Sequence, residues 1–494
     1  MMRSMYSAVS GLKSHQTKMD VIGNNVSNVN TVAFKSSAVT FNDIMYQTIA
    51  SASGANAETG TGGVNAKQIG LGVAVGSTQV SITTAGAAQT TGNPFDVRIT
   101  DANSTNFFIV NNGSENLFTR AGSFYVDGSG NLCMTSTGYK VMGWQAVEDP
   151  ATGERSIKKD TVSALTVMQT KNLTSAPEAT TKAYVGGILD KESADLNSDK
   201  GLSVTLNLYD KLGYQYTAKF QIKPQTAGTD DGKYTVKLTN LYDSENKDLL
   251  LKYKTDGSLD LDANGKTQVD DAKRQKIMKD DVVLQFNKTD GTFYEVTGNG
   301  ATAVTTAGAE KNKIIKLNLN TLNDDGAGNV NVNGPLQNIE IDFSQIKNAN
   351  NGKNSTVSMQ PGTSSMDTTG KGKKLGALTG LSIDTSGQIW GSYDNGNTVL
   401  LCQMAVAQFA NASGLEKVGE NCYTTTLNSG DFDGIGVAIT ADGSKMSSGQ
   451  LEMSNVDLSA EFTDMITTQR GFQANSRIIS TSDTLLEELV NLKR

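Results

Sequence analysis

His15 is the only histidine in a chain of 494 residues, and it falls inside an N-terminal helical pattern with no Ser-His-Asp, Cys-His or multi-histidine arrangement around it. It is expected to be an ordinary helix residue. The three cysteines, Cys133, Cys402 and Cys422, are odd in number and lack any CxxC spacing, so neither a disulfide framework nor a zinc site is expected. Buried or idle thiols are the expectation instead. The acidic pairs Asp230-Asp231 and Asp280-Asp281 lie in polar, turn-like sequence, where solvated charge is the natural state. Gly70, Gly72 and Gly76 make GLGVAVG, which misses the dinucleotide-binding spacing and has no strand-to-helix context.

One pattern has the oxygen spacing of a cation loop. Asp260, Asp262, Asn264 and Gly265, with Asp271 in twelfth place, follow D-x-D-x-N-G, in which side-chain oxygens wrap a hard cation around the glycine turn. The match is partial: Asp271 stands where a glutamate would reach bidentately, and Thr267 stands where an apolar residue pins such loops. The same residues make a good β-turn, so calcium is a weak candidate. No catalytic residue, metal or cofactor is expected.

The elements that would position any site are clearer than the site chemistry. Met5, Val9, Leu12, Met19, Ile22, Val26 and Val29 recur in a 4-3 rhythm broken only by Gln16. At the other end Leu458, Phe462, Met465, Phe472, Ile479, Leu486 and Val490 keep step, with Gln469, Ser476 and Asp483 in the polar slots. One such stripe is ordinarily the face packed on a domain core. Two of them, at opposite ends of a chain whose middle reads as strands, point toward helices that associate with other helices.

Between the stripes, residues 32–75 are rich in Ser, Ala, Gly, Thr and Asn and read as a linker ordered in an assembly. Residues 76–148 and 375–454 carry short alternating strands with Asp127-Gly128 and Asn395-Gly396 turns, and read as two halves of one β-domain. Residues 149–374 form an insertion with strands such as LSVTLNLYD and KYTVKLTNLYD, enough for one or two outer β-domains. The expected fold is mainly β with α-helical termini: a terminal helix pair (1–31 and 455–494) forming a coiled-coil-like inner domain, a discontinuous β-domain and a large β-rich inserted outer domain. A net charge of -8 with no Lys/Arg run gives no footprint for nucleic acid or an anionic membrane. No apolar run is long enough for a membrane-spanning helix, and the N-terminus lacks the apolar core of a cleaved signal peptide.

The run GNNVSNVNTVAFKSS, with Asn24, Asn25, Asn28, Asn30, Phe34 and Lys35, resembles the N-terminal signature of the axial proteins of the bacterial flagellum, the rod, hook and hook-associated family. The C-terminal QRGFQAN, with Gln469, Arg470, Gln473, Ala474 and Asn475, resembles the terminal helix of the same family. FTRAGSFYVDGSGNL, GLSIDTSGQIWGSYDNG, FANASGLEKVGENCY and SGQLEMSNVDLS follow in the order of the hook branch. Ala33 departs from the family, many of whose members carry glycine before the Phe-Lys pair.

The resemblance implies a non-enzymatic subunit that polymerises into a flexible helical tube, the hook, acting as a universal joint between rod and filament. In such a tube the terminal helices line the inner wall, the split β-domain forms the middle layer and the insertion packs outside. It further implies the distal rod protein, the hook-cap protein and the first hook-filament junction protein as partners, with delivery to the cell exterior by the flagellar type III export apparatus without a cleaved signal peptide. In some members a cysteine links covalently to a neighbour's lysine. The alternatives are a hook-filament junction or rod subunit, or a secreted calcium-binding adhesion module resting on Asp260 to Asp271; the insertion's lack of His and Cys disfavours a grafted hydrolase.

Overall fold

The computed structural model describes residues 2–55, 60, 62–149, 155–226, 232–254, 258–261, 265, 267–299, 310–323, 334–364 and 369–492. The chain is mainly β with helices at both ends, and it divides into two compact units. Residues 1–172, 380–392 and 398–494 form the first, and residues 173–379 with 393–397 the second.

The first unit begins with α1 (Met2–Ser27). An arm follows: β1 (Ser37–Asp43) pairs antiparallel with β4 (Val73–Val80), and β2 (Tyr46–Ala50) with β3 (Lys67–Gly70). Residues 32–75, whose composition suggested a linker, thus hold ladder-forming strands. Their strand signal was masked by small polar side chains, because the ribbon buries little and needs no alternation of large apolar residues.

Beyond the arm, sequence from before and after the second unit is joined in one sheet. Strand Lys140–Glu148 pairs with Asn106–Asn111 on one side and with Thr398–Met404 on the other, and Cys422–Thr424 pairs with Asn116–Thr119. Strand Asn106–Asn111 is apolar at every central position because both faces are covered: Phe108 and Val110 enter one core cluster, Phe107 and Ile109 a second that holds Trp144. Two short ladders, Val97–Thr100 with Lys445–Ser448 and Ala88–Thr90 with Gln450–Glu452, lead the chain into the last helix.

The second unit contains a five-stranded antiparallel meander (Leu202–Tyr209, Gln215–Pro224, Lys233–Tyr242, Val283–Phe286, Phe293–Thr297) and a four-stranded mixed sheet in which Lys182–Leu189 runs parallel to Ile339–Asn348. Alternation is strict in Leu202–Tyr209: Leu202, Val204, Leu206 and Leu208 point inward and Ser203, Thr205 and Asn207 outward. One hydrophobic cluster, including Leu206, Phe220, Val236, Ile341 and Phe343, takes residues from both sheets. A short helix, α2 (Asp271–Ile277), is capped by Asp270, whose carboxylate accepts from the Lys273 N–H at 3.1 Å. The final helix is α3 (Leu458–Asn491), in the first unit.

Candidate assembly site

Asp457 starts α3 by accepting from the Ser459 and Ala460 N–H groups at 2.8 and 3.3 Å. The helix packs antiparallel on α1. Asn25 donates to Glu461 Oε1 at 2.8 Å, Lys18 pairs with Asp464 at 3.2 Å, the His15 ring faces Gly471 and the Asn475 carboxamide faces Gly11. The buried residues of the two helices are Ala8, Gly11, Ser14, Ile22 and Asn25 on α1 and Thr468 and Ser482 on α3, so the seam is largely small and polar.

The apolar stripes read from the sequence are therefore split. Ile22 is buried, and Met5, Leu12, Met19, Val26, Val29, Met465, Ile479 and Leu486 are half-buried. Val29 also lies past the end of α1, in a turn. Val9, Leu458, Phe462, Phe472 and Val490 are exposed, Phe462 by 50% and Val490 by 66%. Tyr6, Ile466, Ile478, Leu485 and Leu489 join them. Apolar periodicity alone could not separate the seam from this outer array, because small residues contribute nothing to an apolar count.

The arm lies against another side of α1. Ser10 Oγ accepts from the Val73 N–H at 3.2 Å, and Phe41 meets the edge of the His15 ring with centroids 5.8 Å apart. Phe41, Ile44, Met45, Tyr46, Ile49 and Ile69 are exposed along it. A short two-stranded ribbon of this kind is marginal in water on its own.

The N-terminal signature residues act where helix, arm and β-domain meet. Asn25 is clamped on Ser37, donating to its carbonyl at 2.8 Å and accepting from its N–H at 3.0 Å. Asn28 donates to the Asn24 carbonyl and accepts from Thr31 Oγ1, closing the turn after α1, while Asn24 and Asn30 are exposed. Ala33 has φ = 58°, a left-handed conformation that glycine adopts without a Cβ penalty, which gives a physical reason for the glycine that the resemblance implies at this position. Phe34 is buried under the Lys417 ammonium, 4.7 Å from the ring centroid.

Lys35 is fully buried and anchors a charge cluster that the sequence did not reveal. Its Nζ donates to Glu452 Oε1 and to the Thr84 carbonyl, each at 2.7 Å. Glu452 Oε2 accepts from Arg120 Nε at 3.1 Å, and Arg120 also pairs with Asp101 at 2.8 Å. The four groups sum to zero formal charge. Burial pulls Lys35 below its ordinary value against the opposing Glu452 charge. Burial also pushes Glu452 up, but the Arg120 and Lys35 charges, with the Lys35 and Gly86 donors, outweigh it and hold the carboxyl below the usual range. Asn455 adds a neutral tie, accepting from the Ser36 N–H at 2.8 Å and donating to the Ser81 carbonyl at 2.9 Å. The strand and the helix-entry segment carrying Glu452 and Asn455 are thus tied to the segment that leaves α1. A lone arginine inside FTRAGSF and a glutamate inside SGQLEMSN were the available signals.

In the C-terminal signature, Asn475 turns toward α1, whereas Gln469, Arg470, Gln473 and Ala474 are exposed, with Arg470 donating to Gln473 at 3.1 Å. Cys133, Cys402 and Cys422 are all buried and free. Burial pushes the Cys402 thiol up to about 12 and, with the Glu420 charge, the Cys422 thiol up to about 11.

Of the calcium candidates, Asp262 and Asn264 lie outside the described residues. Asp271 is engaged with Arg274 at 2.7 Å, and a Leu261–Thr267 bridge closes around Gly265. No group of three or more potential metal ligands occurs among the described residues.

Comparison with known proteins bears on the same three regions. Family models described as flagella basal body rod protein, flagellar hook protein FlgE/F/G D1 domain, and flagellar basal body rod FlgEFG protein C-terminal match residues 5–35, 103–170 and 447–492. The chain is 34% identical to the flagellar hook protein FlgE of Treponema pallidum and 34% identical to that of Borreliella burgdorferi, each comparison covering 100% of both chains. It is 27% identical to the flagellar basal-body rod protein FlgG of Bacillus subtilis, again over 100% of both. With identity of this level along the whole length, and with the matched models covering the helical ends and part of the split β-domain, the chain belongs to the flagellar hook protein family.

Proposed function

We propose that this protein is the structural subunit of the flagellar hook, polymerising through its terminal helices and arm into a flexible helical tube that carries torque from rod to filament. The observation that carries this reading is the division of labour on α1 and α3. Small and polar residues hold the two helices together, while Val9, Phe462, Ile466, Phe472, Ile478, Leu485 and Leu489 remain exposed alongside the apolar arm. An apolar surface this extended is costly in an isolated soluble chain and marks an association surface. Identical neighbours that cover it convert that cost into assembly energy and make helix stability depend on polymerisation.

The family relation supports a place in the flagellum and self-association. On the same reading the ends of the tube meet the distal rod protein, the hook-cap protein and the first hook-filament junction protein, and the subunit leaves the cell through the flagellar type III apparatus. No chemistry is required of it.

The test is salt-induced assembly of the full chain, followed by electron microscopy. Wild-type protein is expected to form curved hollow tubes. Phe472→Asp places a charge where a neighbour must dry the surface, costing about 3 kcal/mol per contact, or roughly a hundredfold in critical concentration. Tubes from Phe472→Asp at the wild-type concentration would overturn the assembly role of α3.

A further inference from the structure

The contacts between α1 and α3 are reciprocal. A methyl group on Gly471 would lie 2.8 Å from the His15 ring, and one on Gly11 would lie 2.7 Å from the Asn475 amide nitrogen. Both distances are far inside van der Waals contact. Each helix therefore supplies one glycine socket and one polar knob, four residues and one turn apart. His15 is held there by shape: its buried Nδ1 meets no hydrogen-bond partner among the described residues, and its ring is flanked by Phe41. On the same seam Lys18 faces Asp464 and Asn25 faces Glu461.

We propose that these two reciprocal sockets fix the register of α1 against α3, and that the register keeps Val9, Phe462, Ile466 and Phe472 off the intramolecular seam. The second clause rests on the assembly reading; the first does not. A seam of interchangeable aliphatic residues tolerates a slip of one heptad, since the stripe repeats. This seam does not. A slip of seven residues sets His15 against Ile478 or Asp464 and Asn475 against Ser4 or Lys18, all of which carry side chains where a socket is needed. The same slip separates Lys18 from Asp464 and Asn25 from Glu461. QRGFQAN thereby acquires a physical role for two of its members: Gly471 is a socket and Asn475 a knob.

Gly471→Ala separates this proposal from the ordinary behaviour of a helical glycine. Helix propensity alone favours alanine, so a register-neutral glycine would give a more stable helix and easier assembly. A socket predicts the reverse: the critical concentration of the full chain for salt-induced assembly rises by at least about tenfold, and His15→Ala in the Gly471→Ala background returns it to within about twofold of wild type. Far-UV circular dichroism melting of the same full-length variants gives a reading independent of polymerisation, with a lower helix transition in the single variant and recovery in the double. Wild-type or improved behaviour of Gly471→Ala would overturn the proposal. So would a double variant as impaired as the single. If wild-type chains fail to form tubes, the assembly reading falls, and the melting comparison still decides the register.

Discussion

Glu452 shows how much one side chain can hold when it is buried between two cations. Replacing it with Gln leaves Lys35 and Arg120 with charges buried and uncompensated on that side, the arrangement for which losses of about 3–5 kcal/mol are usual. The sign with pH follows from its direction of shift. A carboxyl held below its ordinary value in the folded state contributes stability that is present above the unfolded value and is lost as pH falls through the folded one. Thermal unfolding of wild type should therefore show an acid limb beginning near the ordinary carboxylate range, and Glu452→Gln should lower the transition at neutral pH and flatten that limb.

At Ala33 three effects oppose one another. Glycine would relieve about 1–2 kcal/mol of left-handed strain, add about 0.5–1 kcal/mol of unfolded-state entropy and remove a buried methyl worth about 0.8 kcal/mol. Ala33→Gly is expected to shift stability by less than about 1 kcal/mol in a denaturant titration, so alanine carries little cost at this position. The buried thiols, all three pushed above the ordinary thiol value by burial, should stay unreactive toward a disulfide reagent in the folded chain and react fully once it is unfolded.

For the elements, what could be read from sequence depended on side-chain size. Both terminal helices were legible because large apolar residues recur at helical spacing, and the β-strands because Val, Leu, Phe and Tyr alternate between turn residues. The seam between the helices was not legible: Ala8, Gly11, Ser14, Thr468 and Ser482 carry almost no periodic signal, and their importance lies in what fits above them. The arm was missed for the related reason that its strands bury little. Glu461 belongs to the same hidden seam and has the opposite pH sense to Glu452. Burial pushes its carboxyl up, only partly offset by the Asn25 donor, so its charge opposes folding at neutral pH, and its favourable contribution appears only as pH falls below the shifted value. Glu461→Gln keeps an oxygen for Asn25 and removes the charge. It should leave the helix pair at least as stable at pH 7 by circular dichroism melting and flatten the pH dependence just above the ordinary glutamate range; a clear loss of helix at pH 7 would contradict this assignment.

Across the whole molecule, the chain carries separate hydrophobic cores in its two units, and each has its own means of satisfying buried charge. In the first unit it is the Lys35, Glu452, Arg120 and Asp101 cluster; in the second, buried Arg274 is held by Asp271 and Asp280. A fold built this way does not need one cooperative transition, because among the described residues the hydrophobic cluster of the second unit takes all its members from that unit. The insertion was visible in the sequence as strand-rich, but that one hydrophobic cluster takes described residues from both of its sheets was not, because pairing partners lie far apart in sequence, as Lys182–Leu189 does from Ile339–Asn348. Two consequences can be measured together. A fragment of residues 173–379 should fold alone, with a sigmoidal denaturation curve and dispersed amide resonances. In the full chain, scanning calorimetry should resolve a transition at the fragment's temperature and a second one, and Glu452→Gln should lower only the second, since substitutions far from a core with no shared partner leave its stability nearly unchanged. A single transition that moves as a whole with Glu452→Gln would show instead that the two cores fold as one.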